Sequence, residues 1–163
     1  MNEHTEISYN KAGMTEVNRR KEQEQKVDEL LTRGVVEVAD REHLRKRVLD
    51  SDTVLRVKLG IDPTGSRLHI GRGATILKLK EFQDLGHQIV IIIGDGTAQV
   101  GDSSDKTGAR KGLSPQQISE NIKDYMNQFS RILDTSKLEL VHNADWLKNI
   151  SLPTLLKLTS CQT

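Results

Sequence analysis

Histidine, arginine and carboxylate side chains gather in the stretch GIDPTGSRLHIGRGAT, residues 60–75, directly before an apolar pattern at helical spacing. A helix that begins near Ile70 would present unpaired N–H groups and the positive end of its dipole, which favour a bound phosphate. His69 could donate a hydrogen bond to a phosphate oxygen, and Gly71 would let a flat base or sugar approach the backbone. The same residues fit a histidine that merely caps the helix, because a glycine-rich turn before a helix is a weak motif.

A second polar stretch, GDGTAQVGDSSDKTGARKG at residues 94–112, follows an apolar run and is expected to form a long glycine-rich loop. It contains Asp102, Lys106 and Arg110, and long loops in compact domains are usually functional or disordered. Taken locally, the two basic residues are more simply explained as solvated charges. A shorter polar segment covers residues 142–145. If the preceding strands are parallel, all three segments lie at their carboxyl edge, where ligands bind in such sheets.

Hydrophobic patterning predicts the elements that position these segments. TVLRVKLGI is typical of a strand that ends at Gly60, HQIVIIIG of a parallel strand buried on both faces, and KLELVH of an alternating strand. Apolar residues at helical spacing predict a helix from Ile70 to Leu85, which Gly86 ends. SPQQISENIKDYMNQFSRILD predicts another helix, with Ser114 and Gln117 in a capping box.

The alternation of strands and helices predicts an α/β fold. We expect the first half of a Rossmann-like doubly wound parallel sheet, preceded by an N-terminal helical segment. The expected division is a disordered or frayed N-terminus over residues 1–14, helices over residues 15–50, and the half-sheet over residues 51–163. Asp40 is the expected N-cap of the second N-terminal helix. Half of such a sheet leaves one face or edge uncovered, so we expect a part of a larger domain.

Composition narrows the function classes. Of the 163 residues, 35% are hydrophobic and 29% are charged, which is typical of a soluble globular protein. The net charge of +1 excludes a nucleic-acid binder that depends on a general basic field. Cys161 is the single cysteine, and no Cys/His cluster predicts a metal site. No secretory signal or membrane span is visible, so a cytoplasmic protein is expected.

Several motifs occur in one order: GIDPT, then LHIG, then FQDLGHQIVIIIGDGTAQVGD, and finally HNADWL. Together they resemble the bacterial tyrosyl-tRNA synthetases, which are class I aminoacyl-tRNA synthetases with His-Ile-Gly-His as their usual first signature. The resemblance covers about residues 25–163. It implies a ligase of translation that activates tyrosine with ATP to tyrosyl-adenylate and transfers it to tRNA(Tyr). It also implies ATP as substrate with Mg²⁺ as counter-ion, no membrane, and a homodimeric parent protein.

The resemblance also implies roles for individual residues. His69 would stabilise the phosphates in the transition state, while Asp102 would hold the α-ammonium group of the amino acid. Lys106 and Arg110 would clamp the departing pyrophosphate, which makes them catalytic residues together with His69. The implied nucleotide-binding residues are Gly60, Asp62, Thr64, His69, Gly71, Arg72 and Thr75. Such a transfer depends mainly on positioning and on neutralising phosphate charge, which suits these residue types.

Four positions depart from the family pattern. Arg72 stands where the signature has its second histidine, so a longer and permanently charged group must replace that contact or leave it unmade. Gly96, Ser103 and Asp105 stand where the bacterial family more often has an aromatic residue, a proline and a glycine. These departures put catalytic efficiency in doubt more than family membership.

Length leaves two alternatives open. The family's catalytic domain continues through a second half, a Lys-Met-Ser-Lys-Ser-type loop and an anticodon-binding region, so an N-terminal fragment is expected. The chain alone could instead be an inactive nucleotide-binding remnant or an interaction module. A small nucleotidyltransferase of the same superfamily is a further alternative, because such enzymes can be complete at about this length.

Overall fold

The computed structural model describes residues 3–100 and 112–161. The chain divides into two compact units, Met1–Leu55 and Arg56–Thr163. The first unit is helical and the second is an α/β unit.

The N-terminal unit contains helices α1 (Glu3–Leu30) and α2 (Arg41–Leu49). α1 begins at Glu3, where the sequence predicts a frayed segment over residues 1–14; no proline interrupts this stretch, so the helix can extend through it. The two helices are joined by Arg45, whose Nε and Nη2 lie 2.7 and 3.2 Å from the two carboxylate oxygens of Asp28. Asp40 caps α2 as predicted, because its side chain accepts a hydrogen bond from the His43 backbone N–H.

Three parallel strands form the sheet of the second unit: β1 (Arg56–Ile61), β2 (Gln88–Ile93) and β3 (Leu138–His142). Their order is β1-β2-β3, with Arg56 paired to Gln88 and Ile89 paired to Leu138. The prediction of parallel strands in one sheet is therefore confirmed.

The predicted helices between the strands are also present. Helix α3 (Ile70–Asp84) connects β1 to β2 and is followed by Gly86, whose φ of 88° is favoured in glycine. Two helices lie between β2 and β3: α4 (Asp95–Val100) and α5 (Pro115–Phe129), which begins with the predicted Ser114–Gln117 capping box. A 3₁₀ turn (Thr135–Lys137) precedes β3, and α6 (Ala144–Leu147) and α7 (Leu152–Ser160) follow it.

The core lies on one face of this sheet. Alternate residues of β2 point into it, because side chains alternate between the two faces of a strand. α3 and α5 both contribute buried side chains to this core. The buried cluster consists of Ile61, Ile76, Leu79, Ile89, Ile91, Ile93, Tyr125, Phe129 and Leu133.

Helix α4 corrects the expectation of a continuous loop over residues 94–112. Glycine weakens local helix propensity here, but tertiary hydrogen bonds stabilise the turn. The Gly96 N–H donates to Asn143 Oδ1 at 2.8 Å, and the Thr97 hydroxyl donates to the Asp62 carboxylate at 2.9 Å. Because Thr97 and Asp62 lie far apart in the chain, residues 94–100 alone give no sign of the second bond.

Candidate functional site

His69 lies at the junction of β1 and α3, directly before the first helical residue. It is the N-cap of α3, and its Nδ1 accepts a hydrogen bond from the Gly71 N–H at 3.1 Å. A neutral imidazole that accepts at Nδ1 has its proton on Nε2. Capping therefore leaves Nε2–H as a donor, so the capping role and a ligand-binding role are compatible.

A cleft opens at the carboxyl end of β1, beside the first turns of α3. Four of the predicted nucleotide-binding residues share it. The lining residues are Leu59, Gly60, Ile61, Asp62, Arg72 and Thr75. Gly60, Asp62 and Thr75 are exposed to solvent and Arg72 is half-buried, so the polar groups of the cleft are open to a ligand. Besides His69, the predicted residues outside the cleft lining are Thr64, which lies in the loop, and Gly71, which lies in the first turn of α3.

Residues that follow the carboxyl end of β2 hold the Asp62 side chain in place. Its Oδ1 accepts a hydrogen bond from the Thr97 hydroxyl at 2.9 Å. Its side chain also lies against Gly94, where an added Cβ would come within 1.7 Å of Oδ1. The Asp62 carbonyl accepts from the Thr64 N–H at 2.9 Å, which turns the chain after the strand. Gly94 is therefore required for the close approach of a carboxylate rather than for an unusual backbone angle.

Arg72 bridges two parts of the site. Its Nη1 lies 3.3 Å from the Asp62 carbonyl oxygen and 3.5 Å from the Tyr125 hydroxyl oxygen. The guanidinium has five N–H groups, so these two contacts leave donors for a ligand in the cleft. Arg72 thus places a permanent positive charge at the position where the signature has its second histidine.

Asn143 links the ends of the second and third strands. Its Nδ2 donates to the Thr97 hydroxyl oxygen at 3.1 Å, and its Oδ1 accepts from the Gly96 N–H at 2.8 Å. A chain of hydrogen bonds therefore runs from Asp62 through Thr97 to Asn143. The described parts of the three polar segments lie along one edge of the sheet, as predicted for the carboxyl ends of parallel strands.

Asp95 and His142 are hydrogen-bonded at the same edge, with 2.8 Å between Asp95 Oδ2 and His142 Nδ1. Asp95 Oδ1 accepts hydrogen bonds from the N–H groups of Gly96 at 2.9 Å and Ala144 at 3.0 Å. Burial opposes the charged form, but the hydrogen bonds from Ala144 and His142 outweigh it and hold the pKa of Asp95 below its ordinary value. The carboxylate therefore fastens α4 to the start of α6.

The close packing of α4 against α6 explains the glycine at position 96. An added Cβ would lie 3.0 Å from Asn143 Oδ1, 3.2 Å from Ala144 Cα and 3.3 Å from Leu147 Cδ1. The aromatic residue that the bacterial family more often has at this position would not fit between α4 and α6 as they lie here. Glycine is thus consistent with the close approach of these two helices.

Five residues singled out in the sequence lie outside the described residues: Asp102, Ser103, Asp105, Lys106 and Arg110. Within the described ranges, no group of three His, Cys, Asp or Glu side chains could hold a metal ion. In the same ranges, every helix is too short or too polar to span a membrane.

Several residues with structural roles in the site were not predicted. Thr97 and Asn143 each follow a strand as a polar residue, which is the signal that could have identified them. Tyr125 gives no such signal, because it lies inside the predicted helix SPQQISENIKDYMNQFSRILD rather than after a strand. Its ring is buried in the core while its hydroxyl reaches Arg72.

Comparison with known proteins identifies tRNA synthetases as relatives of this chain. The family described as tRNA synthetases class I (W and Y) matches residues 50–162. The tyrosine–tRNA ligase of Carboxydothermus hydrogenoformans is 44% identical over 138 residues, covering 83% of this chain and 34% of that protein. The tyrosine–tRNA ligase of Dehalococcoides mccartyi is 41% identical over 137 residues, covering 84% and 34%. The chain thus spans about a third of the length of these curated relatives.

Solved structures share the fold. The tyrosyl-tRNA synthetase of Archaeoglobus fulgidus, complexed with L-tyrosine, matches with a TM-score of 0.59 and 22% identity, over 81% of this chain and 38% of that one. A C-terminally truncated mitochondrial tyrosyl-tRNA synthetase of Coccidioides posadasii matches with a TM-score of 0.59 and 20% identity, over 98% and 49%. These likenesses confirm the predicted Rossmann-like α/β fold.

Proposed function

Because this chain belongs to the class I tRNA synthetases of the tryptophan and tyrosine group, we propose that it forms the ATP-binding part of a tyrosine–tRNA ligase. The complete reaction would activate tyrosine with ATP and transfer it from tyrosyl-adenylate to tRNA(Tyr). Tyrosine is favoured over tryptophan as substrate because the relatives that share about 40% identity are tyrosine–tRNA ligases.

One observation supports this proposal above the others. His69 caps the N-terminus of α3 with Nδ1, and the cleft beside it brings Gly60, Asp62, Arg72 and Thr75 together. A helix N-terminus, an imidazole N–H and a guanidinium all favour a phosphate group. The backbone of Gly60 leaves room on the cleft wall for a flat group such as a base or ribose.

The chemistry requires positioning and charge neutralisation. A carboxylate oxygen of tyrosine attacks the α-phosphorus of ATP, a new P–O bond forms, and the bond to the bridging oxygen breaks so that pyrophosphate leaves with the electron pair. His69 Nε2–H would donate to phosphate oxygens as negative charge develops, and Arg72 would add a fixed positive charge. Asp62 and Thr64 would border the α-phosphate end, while Gly71 and Thr75 would lie against the adenosine.

The remaining roles are proposals about residues outside the described ranges. Asp102 would bind the α-ammonium group of tyrosine, and Lys106 and Arg110 would neutralise the departing pyrophosphate. ATP would enter as its Mg²⁺ complex, so the ion is part of the substrate. We propose tRNA(Tyr) as the second substrate, a homodimeric assembly for the whole protein, and a cytoplasmic location in keeping with translation.

ATP binding tests the proposal directly. Titration calorimetry of the 163-residue chain with Mg-ATP should detect binding, and His69→Ala should weaken it by about tenfold, as expected for a lost hydrogen bond to a charged group. His43→Ala is the matched control, because His43 is exposed and lies in the N-terminal unit. No detectable binding by the unchanged chain would refute the nucleotide-binding role.

Substrate choice needs the natural gene product that contains this sequence. We expect it to catalyse ATP–pyrophosphate exchange that depends on tyrosine. Exchange with tryptophan and not with tyrosine would overturn the substrate assignment. ATP binding without exchange for either amino acid would favour the nucleotide-binding module over the ligase.

A further inference from the structure

Two amide side chains of α5 bind the loop that connects β1 to α3. Asn121 Nδ2 donates to the Pro63 carbonyl oxygen at 2.8 Å. Gln128 Nε2 donates to the Ser66 carbonyl oxygen at 2.9 Å, and Gln128 Oε1 accepts from the Leu68 N–H at 3.0 Å. Three main-chain groups of one irregular segment thus have their partners on a single helix.

The spacing of the two amides explains how one helix reaches both ends of the loop. Asn121 and Gln128 are seven positions apart, which is about two helical turns, so they lie on the same face of α5. Tyr125 lies between them on that face and contacts Arg72 at the start of α3. The loop therefore runs along α5 from Pro63 to Leu68 and delivers the chain to His69.

Helix α5 is fixed by core packing and capping, so it can hold this loop. Ile118, Tyr125 and Phe129 are buried on it, and its first turn is fixed by the Ser114–Gln117 capping box. Residues 62–69 have no regular secondary structure of their own. Hydrogen bonds from a rigid helix to the main chain of an irregular loop limit the conformations that the loop can sample.

We propose that Asn121 and Gln128 are positioning residues that hold the Asp62–His69 loop in its ATP-binding conformation. This inference rests on the proposed ATP-binding role of the loop. Neither amide lines the cleft at the end of β1, so both would act through the loop backbone. A loop held in its bound shape before the ligand arrives loses less conformational entropy on binding, which increases affinity.

The test compares two substitutions of glutamine on the same helix. Gln128→Met keeps the length of the side chain and removes the bonds to Ser66 and Leu68. Gln116→Met is the matched control, because Gln116 is exposed and its amide bonds Glu120 on α5 itself. We expect Gln128→Met to raise the Kd for Mg-ATP by about tenfold and Gln116→Met to change it by less than about twofold.

A second measurement does not depend on ATP. Hydrogen exchange at the Leu68 amide should accelerate by about tenfold or more in Gln128→Met and stay unchanged in Gln116→Met, because only the first variant removes its acceptor. Gln128→Glu retains an acceptor for Leu68 N–H but loses the donor to Ser66, so its Leu68 exchange rate and its Kd should be intermediate. If Gln128 only stabilised the fold, variants with unchanged helix content would not show this graded order in the Kd for Mg-ATP and the Leu68 exchange rate.

The outcomes separate the two proposals. If the unchanged chain binds ATP and Gln128→Met binds it equally well, the positioning role is wrong. If the unchanged chain does not bind ATP, the proposed function is wrong, and the Leu68 exchange rates still decide whether α5 holds the loop. Should Gln128→Met fail to fold, Asn121→Leu, which removes the bond to Pro63, is judged by its Kd for Mg-ATP, and a Kd equal to that of the unchanged chain would contradict the positioning role.

Discussion

Replacing Gly94 with alanine places a methyl group where the Asp62 carboxylate lies. The new Cβ would be 1.7 Å from Asp62 Oδ1, 2.9 Å from its Cγ and 2.8 Å from the Thr97 hydroxyl oxygen. Ordinary non-bonded contact needs about 3.5 Å, so the carboxylate must move by roughly 1.5–2 Å. That movement breaks its 2.9 Å hydrogen bond from Thr97.

The free energy of unfolding should fall as a result. A hydrogen bond to a charged group contributes about 1.5–3 kcal/mol. The alanine offsets about 0.4–1 kcal/mol of this loss by restricting the unfolded chain. The net destabilisation is therefore about 0.5–2.5 kcal/mol. With a urea dependence of about 2 kcal/mol per molar, the unfolding midpoint should fall by roughly 0.3–1.3 M.

Urea unfolding can be followed by the fluorescence of Trp146, the single tryptophan, which lies in the same unit as Gly94. Gly73→Ala is the control, because Gly73 lies inside α3 and an added Cβ meets nothing within 4 Å. Alanine should stabilise that helix by about 0.5–1 kcal/mol. The two glycine substitutions are thus expected to have opposite signs.

A double-mutant cycle tests the cause. In an Asp62→Ala background the methyl group introduced by Gly94→Ala no longer meets a carboxylate, so this substitution should cost at least about 1 kcal/mol less than in the unchanged chain. An equal cost in both backgrounds would refute the assignment of the effect to Asp62. A neutral or stabilising Gly94→Ala in the unchanged chain would refute the predicted clash itself.

Two further predictions concern pH. Burial lowers the pKa of His87, so the folded state binds fewer protons than the unfolded state below the ordinary histidine pKa near 6.5, and the free energy of unfolding should fall as the pH drops below that value. His87 contributes at most about 1.4 kcal/mol per pH unit to the slope of the free energy of unfolding against pH. His87→Phe should make that slope smaller, whereas the exposed His43→Gln should leave it unchanged. Arg72→His exchanges a permanent charge for a titrating one beside Asp62 and Tyr125. The ratio of its Kd for ATP to that of the unchanged chain should therefore rise by about tenfold between pH 5.5 and 8, and a flat ratio would contradict a role for the Arg72 charge.

Local patterns were sufficient to predict most of the α/β unit. β2 is marked by a continuous β-branched run, and α5 by a capping box and an apolar stripe. Helix α4 was not predictable in this way, because its stability depends on hydrogen bonds that it donates to Asp62 and Asn143, which lie in other segments. Propensity within residues 94–100 opposes the helix, and contacts distant in sequence stabilise it.

In the candidate site, too, some residues were predictable from local sequence and others depend on contacts distant in sequence. The residues proposed to face the nucleotide were predicted from a short signature, in which residue types and spacing lie within residues 60–75. The residues that hold this segment lie about 60 positions away on α5, where an amide in the sequence looks like any other solvated side chain. Only the packing of α5 against the sheet brings Asn121 and Gln128 to the loop.

The sequential strand order also bears on how the sheet assembles. Each strand pairs with its predecessor, and partner residues are separated by about thirty positions between β1 and β2 and about fifty between β2 and β3. Loop-closure entropy grows only logarithmically with length, so the second pairing costs just about 0.4 kcal/mol more than the first. The two pairings should therefore form at similar rates, with the shorter β1-α3-β2 connection slightly favoured. Pulsed hydrogen exchange during refolding should accordingly protect the β2 amides bonded to β1 no later than the β3 amides.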